Sequence, residues 1–85
     1  MSFFSAAARV LADVQAERRR QTDRWGVQHH ADYRWLSILT EEVGEVAKAI
    51  NDEEDIAALR AELVQVAAVA VAWVEDIDYV EALSA

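Results

Sequence analysis

The sequence predicts an all-α fold: one domain over 1–85 built of three main helices, the second and third forming an antiparallel hairpin, and the bundle completed by oligomerisation. Three observations predict it. The 85 residues include no proline and only two glycines, Gly26 and Gly44, while 54% are hydrophobic, a composition that favours helices with short connections over a sheet. Apolar residues recur at alternating steps of three and four over two long stretches, the period of a helix buried along a seam. A chain of this length also forms a single core only marginally able to stabilise a lone molecule.

Helix one is expected from about Ser5 to Trp25, with Ala7, Leu11 and Val14 as its apolar stripe and Gly26 as its stop. The same spacing continues through Arg18, Gln21 and Trp25, so the inward stripe turns polar over its last two turns. A helix end of that kind borders a pocket. Residues 27–31 form the main connection, with Asp32 as N-cap of helix two. Leu36, Leu39, Val43, Val46 and Ile50 carry the seam of helix two to about Ile50.

Residues 51–55 are polar and make a short turn, after which Ile56, Leu59, Leu63, Val66, Ala70, Trp73, Ile77 and Val80 repeat the three-four pattern. So short a turn joins antiparallel neighbours. From Leu63 to Val74 helix three has Gln65 as its one polar residue, and a helix apolar nearly all round is buried on several sides. Three helices of one chain scarcely surround it. The expectation is a homo-oligomer, either a dimer or a dimer of dimers.

Sixteen acidic against eight basic residues give a net charge of −8, which opposes binding to a nucleic-acid polymer or an anionic membrane. Arg18, Arg19, Arg20 and Arg24 cluster in the first third, where pairing with Asp13, Glu17 and Asp23 on a solvated helix face accounts for them. Cysteine is absent, which removes disulfides, thiolate metal sites and thiol nucleophiles. Residues 1–10 lack the pattern of a secretory leader, and the longest apolar stretch, Val66 to Val74, is far below the roughly 20 residues that span a bilayer. A cytoplasmic protein with no membrane partner is expected.

Beside the seam of helix two runs a second stripe, Trp35, Ile38, Glu42, Glu45 and Ala49, in which two carboxylates interrupt an apolar row. Glu41 falls on an outer stripe with Arg34 and Lys48. On helix three the matching stripe is Asp55, Ala58, Glu62, Gln65, Val69 and Ala72. Folding the chain back near Glu53 sets Glu42 level with Gln65 and Glu45 level with Glu62. Residues three apart lie on one helix face about 4.5 Å apart along the axis, so four oxygen-bearing side chains converge. A carboxylate on a stripe meant for burial needs a compensating charge, hydrogen bond or cation, and an all-oxygen set suits Mg²⁺ or Mn²⁺ better than zinc. Inter-helix salt bridges or a solvated groove remain the structural alternative. Gly44, flanked by glutamates, serves either a close helix approach or nothing beyond a tolerated surface position.

The run Leu39-Thr40-Glu41-Glu42-Val43-Gly44-Glu45-Val46 followed by Glu62-Leu63-Val64-Gln65 resembles the E-x-x-E then E-x-x-D signature of the MazG-type all-α nucleoside triphosphate pyrophosphohydrolases. Trp25-Gly26-Val27-Gln28-His29-His30 with Trp35-Leu36 resembles the segment leading into their first acidic helix. The resemblance covers about Gln21 to Trp73. It implies an enzyme that hydrolyses a nucleoside triphosphate between the α and β phosphates with Mg²⁺, giving the monophosphate and pyrophosphate. Carried over by position, Glu42, Glu45 and Glu62 are metal ligands and Gln65 stands where the family has aspartate. An amide oxygen still coordinates Mg²⁺ but brings no charge and no basicity, so a noncatalytic nucleotide- or metal-binding module of the same family is the alternative. Asp76, eleven residues beyond Gln65 and about 16 Å along the helix, is too far to replace it. Glu41 is the candidate to orient or deprotonate the attacking water. Gln21, Trp25, Gln28, His30 and Trp35 are candidates for the base pocket, and Lys48 or an arginine of helix one for the phosphates.

Overall fold

The computed structural model describes residues 5–84 as three helices, α1 (Ala6–Trp25), α2 (Asp32–Asn51) and α3 (Ile56–Ser84). Each end has a local cause. Ser5 caps α1, its hydroxyl accepting from Ala8 N at 3.0 Å, and Gly26 ends it at φ 75, a conformation glycine adopts without strain. The N-cap of α2 is Ala31, with no side-chain cap bond. The expected cap, Asp32, is instead the first helical residue. Its carboxylate accepts from the Trp73 indole at 3.0 Å, a tertiary partner that outcompetes the helix's own N–H groups.

The turn between α2 and α3 is a Schellman closure. Glu54 N donates to Ala49 O at 3.0 Å and Glu53 N to Ile50 O at 3.2 Å, with Glu53 in the left-handed region at φ 54. The pivot thus falls at Glu53, as the sequence places it. Asp55 then caps α3 by accepting from Ala58 N at 2.8 Å.

The antiparallel hairpin forms: Trp73 meets Asp32, and Trp35 meets Asp76 at 2.8 Å, so the start of α2 lies against the far half of α3. Helix α3 is central. Both α1 and α2 pack on it, while α1 and α2 make no close approach to each other. The core is small, with Trp35, Val69 and Ala72 at its centre and Ile38, Leu39 and Trp73 against it. Ala49, Ala68 and Ala72 are buried, and their small side chains let the backbones come close.

The inward face is only in part the seam that the periodicity favours: Leu39 and Trp73 pack against the core, and Val46, Leu59, Val66 and Ala70 are half-buried. Leu36, Val43, Ile50, Ile56, Leu63, Ile77 and Val80 are each 45–79% exposed, whereas the stripe of Trp35, Ile38, Glu42 and Ala49 turns toward α3. In α1, Val14 is buried but Leu11 is exposed, and Glu17 is buried in its place. Gly44 has nothing within 4 Å of an added Cβ, so it serves no close helix approach. Although its strictly apolar stretch is short, α3 as a whole is long and apolar enough to cross a membrane by length and composition.

Candidate functional site: a cleft floored by the third helix

Because α1 and α2 both lean on α3 without meeting, they leave a cleft of about 500 Å³ between them. Arg18, Gln21 and Trp25 line it from α1, Gln28 and His30 from the connection, Arg34, Trp35, Ile38 and Glu42 from α2, and Gln65, Val69, Glu75, Asp76 and Tyr79 from α3. The polar end of α1 therefore borders a pocket, as its stripe implies. Five of the six residues singled out for substrate, Gln21, Trp25, Gln28, His30 and Trp35, are brought together here. Lys48 is exposed and outside the lining.

The two tryptophans differ in kind. Trp25 is 58% exposed, with the Arg24 guanidinium over one face 4.8 Å from its ring centroid, and its exposed indole lines the cleft. Trp35 is 3% exposed. Its N–H is committed to Asp76 and its ring meets His30 edge-on at 4.9 Å, so it is a wall of the cleft.

Asp76 organises the near end. Its Oδ2 accepts from Trp35 Nε1 at 2.8 Å and from His30 N at 2.9 Å, and its Oδ1 lies 2.7 Å from His29 Nδ1. The His29 bond first, then those from Trp35 and the His30 backbone, hold the carboxyl down at about 2. His29 also stacks on Tyr79, with ring centroids 4.2 Å apart. Sequence spacing does not reveal this hub. Its one signal is a carboxylate on the inward stripe of α3, below a connection carrying two histidines.

The acidic end is built differently. Glu42 is half-buried and lines the cleft with Gln65. Burial raises its pKa first, and the charges of Glu62, Glu45, Glu41 and Glu17 raise it further. Two of these neighbours, Glu62 and Glu45, are carboxylates that the stripes bring together, and Glu41 adjoins Glu42 in sequence. Glu17, from α1, is a neighbour that spacing misses, although it does ion-pair with Arg20 as expected. Glu45 and Glu41 are exposed, and neither they nor Glu62 lines the cleft. Gln65 Oε1 accepts from Gln21 Nε2 at 3.3 Å.

The donor set is all oxygen and its repulsion is of the sort a divalent cation relieves, which fits Mg²⁺ in chemistry. As the side chains stand, no three His, Cys, Asp or Glu among the described residues are gathered closely enough to hold an ion. Arg19 and Arg24 are exposed, as a solvated face requires, whereas Arg18 reaches Glu75 on α3 and Asp13 pairs with Arg60. No family model, curated protein or solved structure matches this chain, so the cleft and its side chains are what bear on function.

Proposed function

We propose that the chain is a Mg²⁺-dependent nucleoside triphosphate pyrophosphohydrolase acting as a homo-oligomer, with the base held at the Trp25 end of the cleft and the triphosphate directed toward Glu42. The observation that carries this reading is one cleft with an exposed indole and hydrogen-bonding side chains at one end and a carboxylate under uncompensated repulsion at the other. An indole face stacks on any base, and Gln28 and His30 read its polar edge. Glu42, Glu45 and Glu62, with the amide oxygen of Gln65, would hold the cation after side-chain rotation, Mn²⁺ serving in place of Mg²⁺. When bound, the cation neutralises the triphosphate and makes the α-phosphorus more electrophilic. Glu41 accepts the proton of a water whose oxygen bonds to that phosphorus as the α–β anhydride bond breaks and pyrophosphate leaves.

The partner copy covers the uncovered face of the hairpin. Seven apolar side chains there, each 45–79% exposed, present on the order of 600 Å², close to the roughly 800 Å² per partner of a stable interface. A second copy, rather than lipid, takes that face in this reading, which agrees with the expected cytoplasmic placement without membrane contact.

The second reading, a noncatalytic nucleotide- or metal-binding module, is favoured by Gln65, whose oxygen is engaged by Gln21 and which adds no charge. One assay separates the two: a nucleotide panel with Mg²⁺ or Mn²⁺, read as pyrophosphate release. Activity lost by at least 100-fold in Glu42→Ala and in Glu45→Ala supports the hydrolase. Activity unchanged in both removes the acidic end from the mechanism. Thermal stabilisation by nucleotide and metal without turnover selects the binding module. Gln65→Asp should tighten Mg²⁺ several-fold by calorimetry if residue 65 shares the site.

A further inference from the structure

The guanidinium of Arg18 lies along the cleft wall with all three of its nitrogens hydrogen-bonded. Nε donates to Glu75 Oε1 and Nη2 to Glu75 Oε2, both at 3.0 Å, while Nη1 donates to Gln21 Oε1 at 2.9 Å. Two parallel N–H groups gripping two oxygens is also the geometry by which arginine holds a phosphoryl group. The two partners are unequally fixed. The Arg18 side chain is 18% exposed and buttressed by Gln21, which is itself tied to Gln65; Glu75 is 54% exposed. The cation is therefore built into the wall, and the anion is a half-exposed side chain at its edge.

Arg18 is the main cause of the lowered pKa of Glu75, so the pair is ionised at neutral pH. Exposed pairs of this type contribute little stability, and a polyphosphate offers the fork more charge than one carboxylate does. Arg34 lines the same cleft from α2 and makes no ion pair among the described residues. In a chain of net charge −8, the cleft sets Arg18 and Arg34 beside Glu42, Glu75 and Asp76, and the half-exposed Glu75 is the partner of Arg18 that an incoming anion can replace.

We propose that Arg18, with Arg34 as the contact from α2, is a phosphoryl-binding subsite, and that Glu75 is a surrogate anion which the ligand displaces. No bond is made or broken; one ion pair is exchanged for another. The subsite deepens the nucleotide reading by giving the triphosphate a grip that needs no divalent cation. It also makes Glu75 a competitor whose removal improves binding.

The test is calorimetric titration of inorganic tripolyphosphate into the full chain at low salt with EDTA present. Glu75→Gln is expected to bind about threefold to tenfold tighter than the unsubstituted protein. Arg18→Gln and Arg34→Gln should each bind weaker, and the double variant Arg18→Gln/Glu75→Gln should lose the gain. Glu81→Gln, which removes one exposed charge elsewhere on α3, controls for net charge. Equal gains from Glu75→Gln and Glu81→Gln, no gain from Glu75→Gln, or a gain that survives loss of Arg18 would each overturn the proposal. Because Glu75 is largely exposed, its variant is expected to keep the parent's circular dichroism and melting temperature, so its result stands even if an Arg18 variant fails to fold. Metal-free binding is independent of Mg²⁺-dependent pyrophosphate release, so failure of the subsite and failure of the hydrolase reading give different results.

Discussion

The indole N–H of Trp35 donates to Asp76 Oδ2 at 2.8 Å, joining residues 41 positions apart. This bond ties the first turn of α2 to the last third of α3. The same carboxylate takes the His30 backbone N–H, so one side chain fixes both the hairpin and the connection that carries Gln28 and His30 into the cleft. Asp76 thereby positions the base end of the site from a helix that the connection never joins in sequence.

The pKa of Asp76 gives the direction of its pH dependence. Its carboxyl sits at about 2 in the folded chain against an ordinary 3.8, so the unfolded chain binds that proton more tightly. The stabilisation is complete above 3.8 and is lost as pH falls toward about 2. The urea midpoint should drop across this interval. Asp76→Asn, which keeps an oxygen for Trp35 and His30 N, should start lower at neutral pH and show a shallower acid limb. Equal slopes for the two proteins would assign the acid limb to other carboxylates.

The tryptophans should separate stability from binding. Trp35, 3% exposed, fills the core, and Trp35→Ala should cost about 3–5 kcal/mol by denaturant unfolding. Trp25, 58% exposed, should cost less than about 1 kcal/mol when changed to alanine. Loss of its stacking face should still raise KM for the nucleotide roughly tenfold while kcat changes little. A Trp25→Ala protein with unaltered KM would place the base elsewhere.

Glu42 illustrates a site held at the expense of stability. Burial and four neighbouring carboxylates raise its pKa, so its ionised form destabilises the metal-free fold at neutral pH. Stability from this group increases as pH falls through its folded pKa. Glu42→Gln should raise the melting temperature at pH 7 by a few degrees and abolish the further rise that Mg²⁺ gives the parent. A lower melting temperature in the variant would mean that Glu42 has a stabilising partner.

The uncovered hairpin face should set the oligomeric state. Light scattering is expected to give about 19 kDa, twice the 9.5 kDa chain, for a dimer. Val43→Glu and Leu63→Glu alter residues that are each 51% exposed in the single chain. They should yield a folded monomer of unchanged helicity. A monomeric parent that floats with liposomes would instead assign the face of α3 to lipid.

The three helices and their hairpin were legible in the sequence because their causes are local: a three-four period, a glycine stop at Gly26, and a polar turn pivoting at Glu53. So was the break in the apolar stripes at Glu42, Glu62 and Gln65, since each interruption lies within one helix. The tertiary structure decided which of two adjacent stripes faces inward. Periodicity locates both, but the choice depends on where small residues permit close approach, and Ala49, Ala68 and Ala72 bring the acidic stripe in while Leu36, Val43 and Ile50 stay uncovered. It also decided the partners. Asp76 with His29 and Trp35, Arg18 with Glu75, and Glu17 beside Glu42 are joined across 25 to 57 residues, and no helical spacing encodes a contact between side chains on different helices.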